Sequence, residues 1–144
     1  MTDINNIEII KNNKKKGSTM YGTAAHNIYA QNDIGIESPT KLIEMMYEGV
    51  LRFNAQAKKS IRDNNIEKKF YWANRSIAII TELVAVLDPK ANGDMTEYLT
   101  GLYNHQIHSL SLAATNNDIG KVDEVSGVFK GLLEAWRETT NVAN

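Results

Sequence analysis

The sequence predicts an all-α protein: an antiparallel up-down four-helix bundle with a short N-terminal helical strap. Three observations carry this. Apolar residues recur at three- and four-residue spacing from Ser38 onward, and no alternating strand pattern competes. Only two prolines occur, Pro39 and Pro89, and neither interrupts a periodic segment. Short polar turns at Asp63-Asn64-Asn65, Lys90-Ala91-Asn92-Gly93 and Asn116-Asn117-Asp118 cut the periodic stretch into four lengths. Helices joined by such short loops alternate in direction.

With 144 residues the chain suits one domain with a sizeable core. The expected divisions are a polar arm over 1–19, a strap or lid over 20–37, the bundle over 38–138 and a tail over 139–144. The arm holds Lys11 and Lys14 to Lys16, which read as a solvated basic run. In the strap, residues 24–31 suit a short helix, with Ile28 and Tyr29 apolar enough to lie on a body. Gly35 and the approach to Pro39 discourage a longer one.

The first bundle helix is the one the others are organised around. Ser38 suits the N-cap and Pro39 the first helical position. At about 100° per residue, Leu42, Met45, Met46, Gly49 and Phe53 share one face, a core stripe. Ile43, Tyr47 and Val50 form a second stripe, with Leu51 farther round. Either this helix touches several neighbours or the second stripe is spare surface for another chain.

The second helix, from about Ile66 to Leu87, has the same surplus. Ile66, Phe70, Ala73, Ile77, Ile80, Val84 and Leu87 make one stripe; Trp72, Ile79, Leu83 and Val86 make another. The third, opened by Asp94 with Glu97 as a capping box, turns Met95, Leu99, Leu102, Tyr103, Leu110 and Ala113 inward. The last is conventionally amphipathic, with Val122, Val125, Phe129, Leu132, Leu133 and Trp136 on one stripe. The surplus apolar surface therefore belongs to the first two bundle helices. The expected docking residues are Ile43, Tyr47, Val50, Leu51, Trp72, Ile79, Leu83 and Val86.

Other chemistry is poorly supported. The net charge is −1, so no strong basic field argues for nucleic acid. There is no cysteine, which removes disulfide and thiolate chemistry. No apolar run approaches the ~20 residues of a membrane span, and the N-terminus lacks the apolar core of a signal peptide, so a cytoplasmic protein is expected. A di-metal bundle needs Glu-x-x-His pairs facing inward, and the chain has none. His105 and His108 lack a convincing third ligand. No phosphate-binding loop or nucleophile–base constellation is visible, so neither a metal, a cofactor nor an enzyme is expected. Two readings of the spare stripes stay open on the residues alone: a binding module, or a homo-oligomer whose stripes meet across a symmetric interface.

The ordered landmarks Ile28-Tyr29-Ala30-Gln31, Ser38-Pro39, Leu42 to Gly49, Ile79-Ile80 with Leu83 and Leu87-Asp88, Leu102-Tyr103, Asn117-Asp118 and Leu132 to Trp136 resemble the FliS family of flagellar export chaperones. The similarity covers about Met20 to Glu138. It implies a non-enzymatic antiparallel bundle. Its partners would be the disordered C-terminal segment of flagellin, a component of the type III export gate, and room for other flagellar assembly regulators or a co-chaperone. It also implies that the strap at Ile28-Tyr29 covers apolar surface the client later occupies. Two features depart from the pattern. The family's Gly-Gly-Glu turn is Asn92-Gly93-Asp94 here, and Met1–Thr19 has no counterpart.

Overall fold

The computed structural model describes residues 39–88, 90 and 93–143, with side chains through Thr140. The described chain forms four helices, α1 (Pro39–Arg62), α2 (Ile66–Val86), α3 (Gly93–Asn116) and α4 (Ile119–Ala143). No strand occurs among the described residues. The arm, the strap with Ile28 and Tyr29, and Ser38 lie outside them.

Two turns use the same chemistry. Asn64 (φ 55°) and Asn117 (φ 57°) sit in the left-handed region that asparagine tolerates better than most residues. The N–H groups of Asn64 and Asn65 donate back to the Ile61 and Ser60 carbonyls at 3.1 and 2.9 Å, closing α1. The Asn65 side chain then accepts the Lys68 N–H at 3.0 Å and caps α2. At the other turn Asp118 donates its N–H to the Ala113 carbonyl at 2.9 Å. Its carboxylate accepts the Lys121 N–H at 3.0 Å and caps α4. The expected Asp94 cap differs: α3 already begins at Gly93, so Asp94 falls inside the first turn, where it favours the helix dipole. At the far end α4 continues past Glu138 to Ala143.

α1 packs against α2 and α4, and α3 packs against the same two helices. Cross-helix contacts fix the directions. Lys58, near the end of α1, meets Asp123, near the start of α4, at 2.6 Å. At the opposite end the Trp136 indole donates to the Thr40 carbonyl at 2.9 Å. Lys69, early in α2, donates to Asn117 just after α3 at 2.7 Å.

The core runs through Leu42, Met46, Val50, Ile80, Leu83, Leu110, Val122, Val125 and Phe129. Each such side chain, fully buried, contributes about 1.5–3 kcal/mol. Polar groups are threaded through it. Asn54 is 0 % exposed; it accepts from the Ser76 hydroxyl at 2.7 Å and donates to the Ser126 hydroxyl at 3.0 Å, tying α1 to α2 and α4.

Several core expectations are corrected. Met45, Ile66, Phe70 and Met95 are exposed, and Phe53 is only half-buried. For α2 the reason is a rotation of the buried face. The buried row is Lys69, Ala73, Ser76, Ile80, Leu83 and Val86, which includes a lysine and a serine. Lys69 keeps its ammonium paired with Asn117 while its stem is packed inside. A pattern counted on apolar residues alone shifts toward Ile66 and Phe70.

Candidate functional site

The eight expected docking residues do not form one groove. Ile43, Tyr47, Val50, Leu83 and Val86 are buried in the bundle core, which corrects their assignment to spare surface. The physical reason is the position of α1 between two neighbours. One stripe packs on α2, and the other packs toward α4 and α3. Tyr47 makes this concrete: its ring lies edge-on to Phe129 and Trp136, with centroids at 5.9 and 6.4 Å, and its hydroxyl meets that of Tyr103 at 2.8 Å.

Leu51, Trp72 and Ile79 are half-buried at the surface, on two different sides of α1. Leu51 lines a depression of about 300 Å³ between α1 and α4, together with Ala55, Lys58, Asp123, Ser126, Gly127 and Lys130. Ile79 lines a notch of about 160 Å³ between α1 and α2, with Met45, Gly49, Arg52 and Glu82 at its rim. Trp72 lies farther along this second face.

The α1/α2 face is built from small and flat groups. Gly49 lets Ile79 pack closely on α1 beside the notch, because a Cβ there would stand 2.8 Å from Ile79 Cδ1. Next along α1, Phe53 lies against Trp72 with ring centroids 5.5 Å apart and planes tilted by 30°. Tyr71, 51 % exposed, sets its ring edge-on to Trp72 at 4.8 Å. Two guanidinium groups cover this cluster. Arg75 sits 4.8 Å from the Phe53 centroid and 5.5 Å from that of Tyr71, and donates to the Tyr71 hydroxyl at 3.3 Å. Arg52 sits 5.5 Å from Phe53. Beyond Trp72 the face continues into a polar depression bordered by Gln56, Lys59, Asp63 and Lys68. The expectation missed Phe53 and Met45 on this face, having placed both in the core. The Arg52-Phe53 pair and the Tyr71–Arg75 spacing of four are the sequence signals that mark it.

At the α1/α4 end, Arg137 donates to Glu44 at 2.7 Å and also to Glu48. The hydrogen bond from Arg137 holds the Glu44 carboxyl below its usual range against the opposing effect of burial. The Arg137 guanidinium is raised in turn, chiefly by the hydrogen bond to Glu44. Burial pushes the Tyr47 phenol up, partly offset by its bond to Tyr103.

Among the described residues no group of three or more histidine, aspartate or glutamate side chains converges as a metal site. His105 and His108 are both exposed. No described helix is long and apolar enough to cross a membrane. The distinctive surface is thus an apolar and aromatic strip edged by cations, suited to holding another polypeptide.

Residues 21–143 match the family described as Flagellar protein FliS. The chain is 51 % identical over 122 residues to the flagellar secretion chaperone FliS of Campylobacter jejuni subsp. jejuni, covering 85 % of this chain and 95 % of the relative. It is 31 % identical over 127 residues to the flagellar secretion chaperone FliS of Escherichia coli, covering 83 % and 92 %. It is 31 % identical over 121 residues to the flagellar secretion chaperone FliSB of Pseudomonas aeruginosa, covering 81 % and 96 %.

Proposed function

The chain belongs to the FliS family and is a flagellar export chaperone, and from that premise we propose that its client is the C-terminal segment of flagellin. It holds this segment in the cytoplasm, keeps it from polymerising early and delivers it to the type III export gate of the flagellum. Ile28 and Tyr29 serve as the strap that covers client surface until the client arrives.

The observation that supports this reading is the α1/α2 face. Phe53, Tyr71 and Trp72 form a row of rings outside the buried core, and Ile79, packed on the edge of that core, continues the apolar strip toward the notch. A disordered client gains by laying an amphipathic helix on such a face. Its ordering consumes part of the interaction energy, so a long contact is required. Leu51 and the α1/α4 depression offer a second contact for the same extended client.

Light scattering combined with calorimetric titration tests the reading. The purified chain is expected to form a one-to-one complex with the C-terminal segment of the flagellin from the same genome. A stable oligomer indifferent to that segment would instead favour self-association through this face.

A further inference from the structure

Arg52 and Arg75 both face the same aromatic ring, that of Phe53, on a strip already fitted for an apolar partner. The ion pairs among the described residues engage Lys41, Lys58, Lys59 and Arg137. Arg52 and Arg75 enter none of them. The Arg52 and Arg75 guanidinium carbons lie 5.5 and 4.8 Å from the Phe53 centroid, and Arg75 also donates to the Tyr71 hydroxyl. A guanidinium attracted to a ring face keeps most of its N–H donors for another acceptor. Lys68, exposed where the strip meets the polar depression, extends the positive edge.

We propose that the α1/α2 face is an electrostatically selective cradle. Its occupant is an amphipathic helix whose apolar stripe lies on Ile79, Phe53 and Trp72, with one aliphatic side chain in the Gly49 notch. Asp or Glu residues flanking that stripe pair with Arg52 and Arg75. This inference rests on the client reading above and adds the client's chemistry: an acid-flanked helical segment is bound here, and a basic one is rejected. Ring contacts that restrict the arginines before binding lower the ordering cost of engaging a carboxylate. A carboxylate arriving there gains a bidentate donor. Like charges brought to the same place repel, which is the source of selectivity.

The test is a calorimetric titration of the full chain with the flagellin C-terminal segment at low and high sodium chloride. For wild type the affinity is expected to fall as salt rises. The double variant Arg52→Gln/Arg75→Gln should bind roughly 10-fold more weakly, since two exposed charge pairs together supply about that factor. Its salt dependence should be flatter. Neutralising the acids of the segment should give the same loss, and combining the two changes should add little further. Arg52→Lys/Arg75→Lys retains charge without the planar fork and should recover only part of the affinity. Circular dichroism melting of each variant checks that the bundle is intact. A tight complex whose affinity and salt dependence are unchanged in the double variant overturns the cradle and leaves the client reading standing. No complex with wild type overturns both.

Discussion

Tyr47 of α1 and Tyr103 of α3 meet hydroxyl to hydroxyl at 2.8 Å inside the bundle, although α1 and α3 are diagonal to each other. Phe129 of α4 lies against both rings, stacked on Tyr103 at 6.2 Å and edge-on to Tyr47 at 5.9 Å. A polar contact thus crosses the bundle through an aromatic centre. It links two helices that pack chiefly against their shared neighbours, α2 and α4.

Burial raises the Tyr47 pKa above its ordinary value of 10.0. The folded state therefore holds this proton more tightly than the unfolded chain does. Its contribution is fully present below pH 10 and is lost as pH rises through the folded value. Stability should fall steeply in the alkaline range above pH 10, and Tyr47→Phe should flatten that fall. Chemical denaturation across a pH series measures it. Equal alkaline slopes for the two proteins would remove Tyr47 as the cause.

Asn54 is the other buried polar junction, and its loss should be costly. Asn54→Ala leaves the Ser76 and Ser126 hydroxyls without their cross-helix partner and is expected to destabilise the chain by about 1–3 kcal/mol. Ser76→Ala should cost less than Asn54→Ala, and the double variant less than the sum. Urea denaturation midpoints decide this; strict additivity would mean that the three side chains do not act as one network.

Both asparagine turns were legible in the sequence, because capping and left-handed chemistry are local, whereas the start of α3 at Gly93 and the run of α4 to Ala143 were not. Nor was the rotation of α2. Lys69 and Ser76 are buried for tertiary reasons: one reaches Asn117 on a different element, and the other reaches Asn54. Neither partner can be read from α2 itself. The same limit misplaced Val50 and Tyr47. A second apolar stripe on α1 signals either a partner chain or a second neighbour within the bundle, and only the packing of α4 against α1 separates these. Phe53 was misread in the opposite direction, since apolar spacing cannot show that two arginines cover its outer side.

Gly49 should be replaceable for folding and not for binding. Alanine is favoured over glycine in a helix interior by up to about 1 kcal/mol. The new Cβ would stand 2.8 Å from Ile79 Cδ1, the free end of a half-buried side chain, and in ordinary contact with an Arg52 guanidinium nitrogen at 3.8 Å. Gly49→Ala is therefore expected to melt at or slightly above the wild-type temperature. With Ile79 displaced into the notch, flagellin-segment affinity should fall. A large drop in melting temperature would show that Ile79 is fixed and that the notch is part of the packed core.

The Arg137–Glu44 contact predicts an acid-side effect of definite sign. The Glu44 pKa lies below 4.5 in the folded chain, chiefly through the Arg137 hydrogen bond. Its contribution is present above pH 4.5 and is lost as pH falls through the lower folded value. Arg137→Gln should lower stability at neutral pH more than at pH 3. The difference should shrink in high salt, because both groups are open to solvent. A constant gap between the two proteins from pH 7 to pH 3 would place the Arg137 effect in packing rather than charge.

Val50 and Ile79 separate the core from the proposed client face. Both were expected on spare stripes, yet Val50 is 0 % exposed whereas Ile79 is half-buried at the rim of the notch. An aspartate at 50 would bury a carboxylate with no cationic partner provided for it. Such a group either ionises at great cost or stays protonated without its hydrogen bonds. Val50→Asp should therefore lie among the most damaging single changes, above about 4 kcal/mol, and leave no cooperative thermal transition. An aspartate at 79 keeps access to water because the position is only half-buried and lines the notch. It forfeits only part of one aliphatic contact, on the order of 1 kcal/mol. Ile79→Asp should stay helical and cooperative while binding the flagellin segment much more weakly, because the apolar stripe would meet a charge at its centre. Circular dichroism melting and calorimetric titration on the same preparations read both effects. If Ile79→Asp unfolds as Val50→Asp does, the α1/α2 face is an extension of the core. If it folds and binds the flagellin segment like wild type, the client contacts the bundle elsewhere.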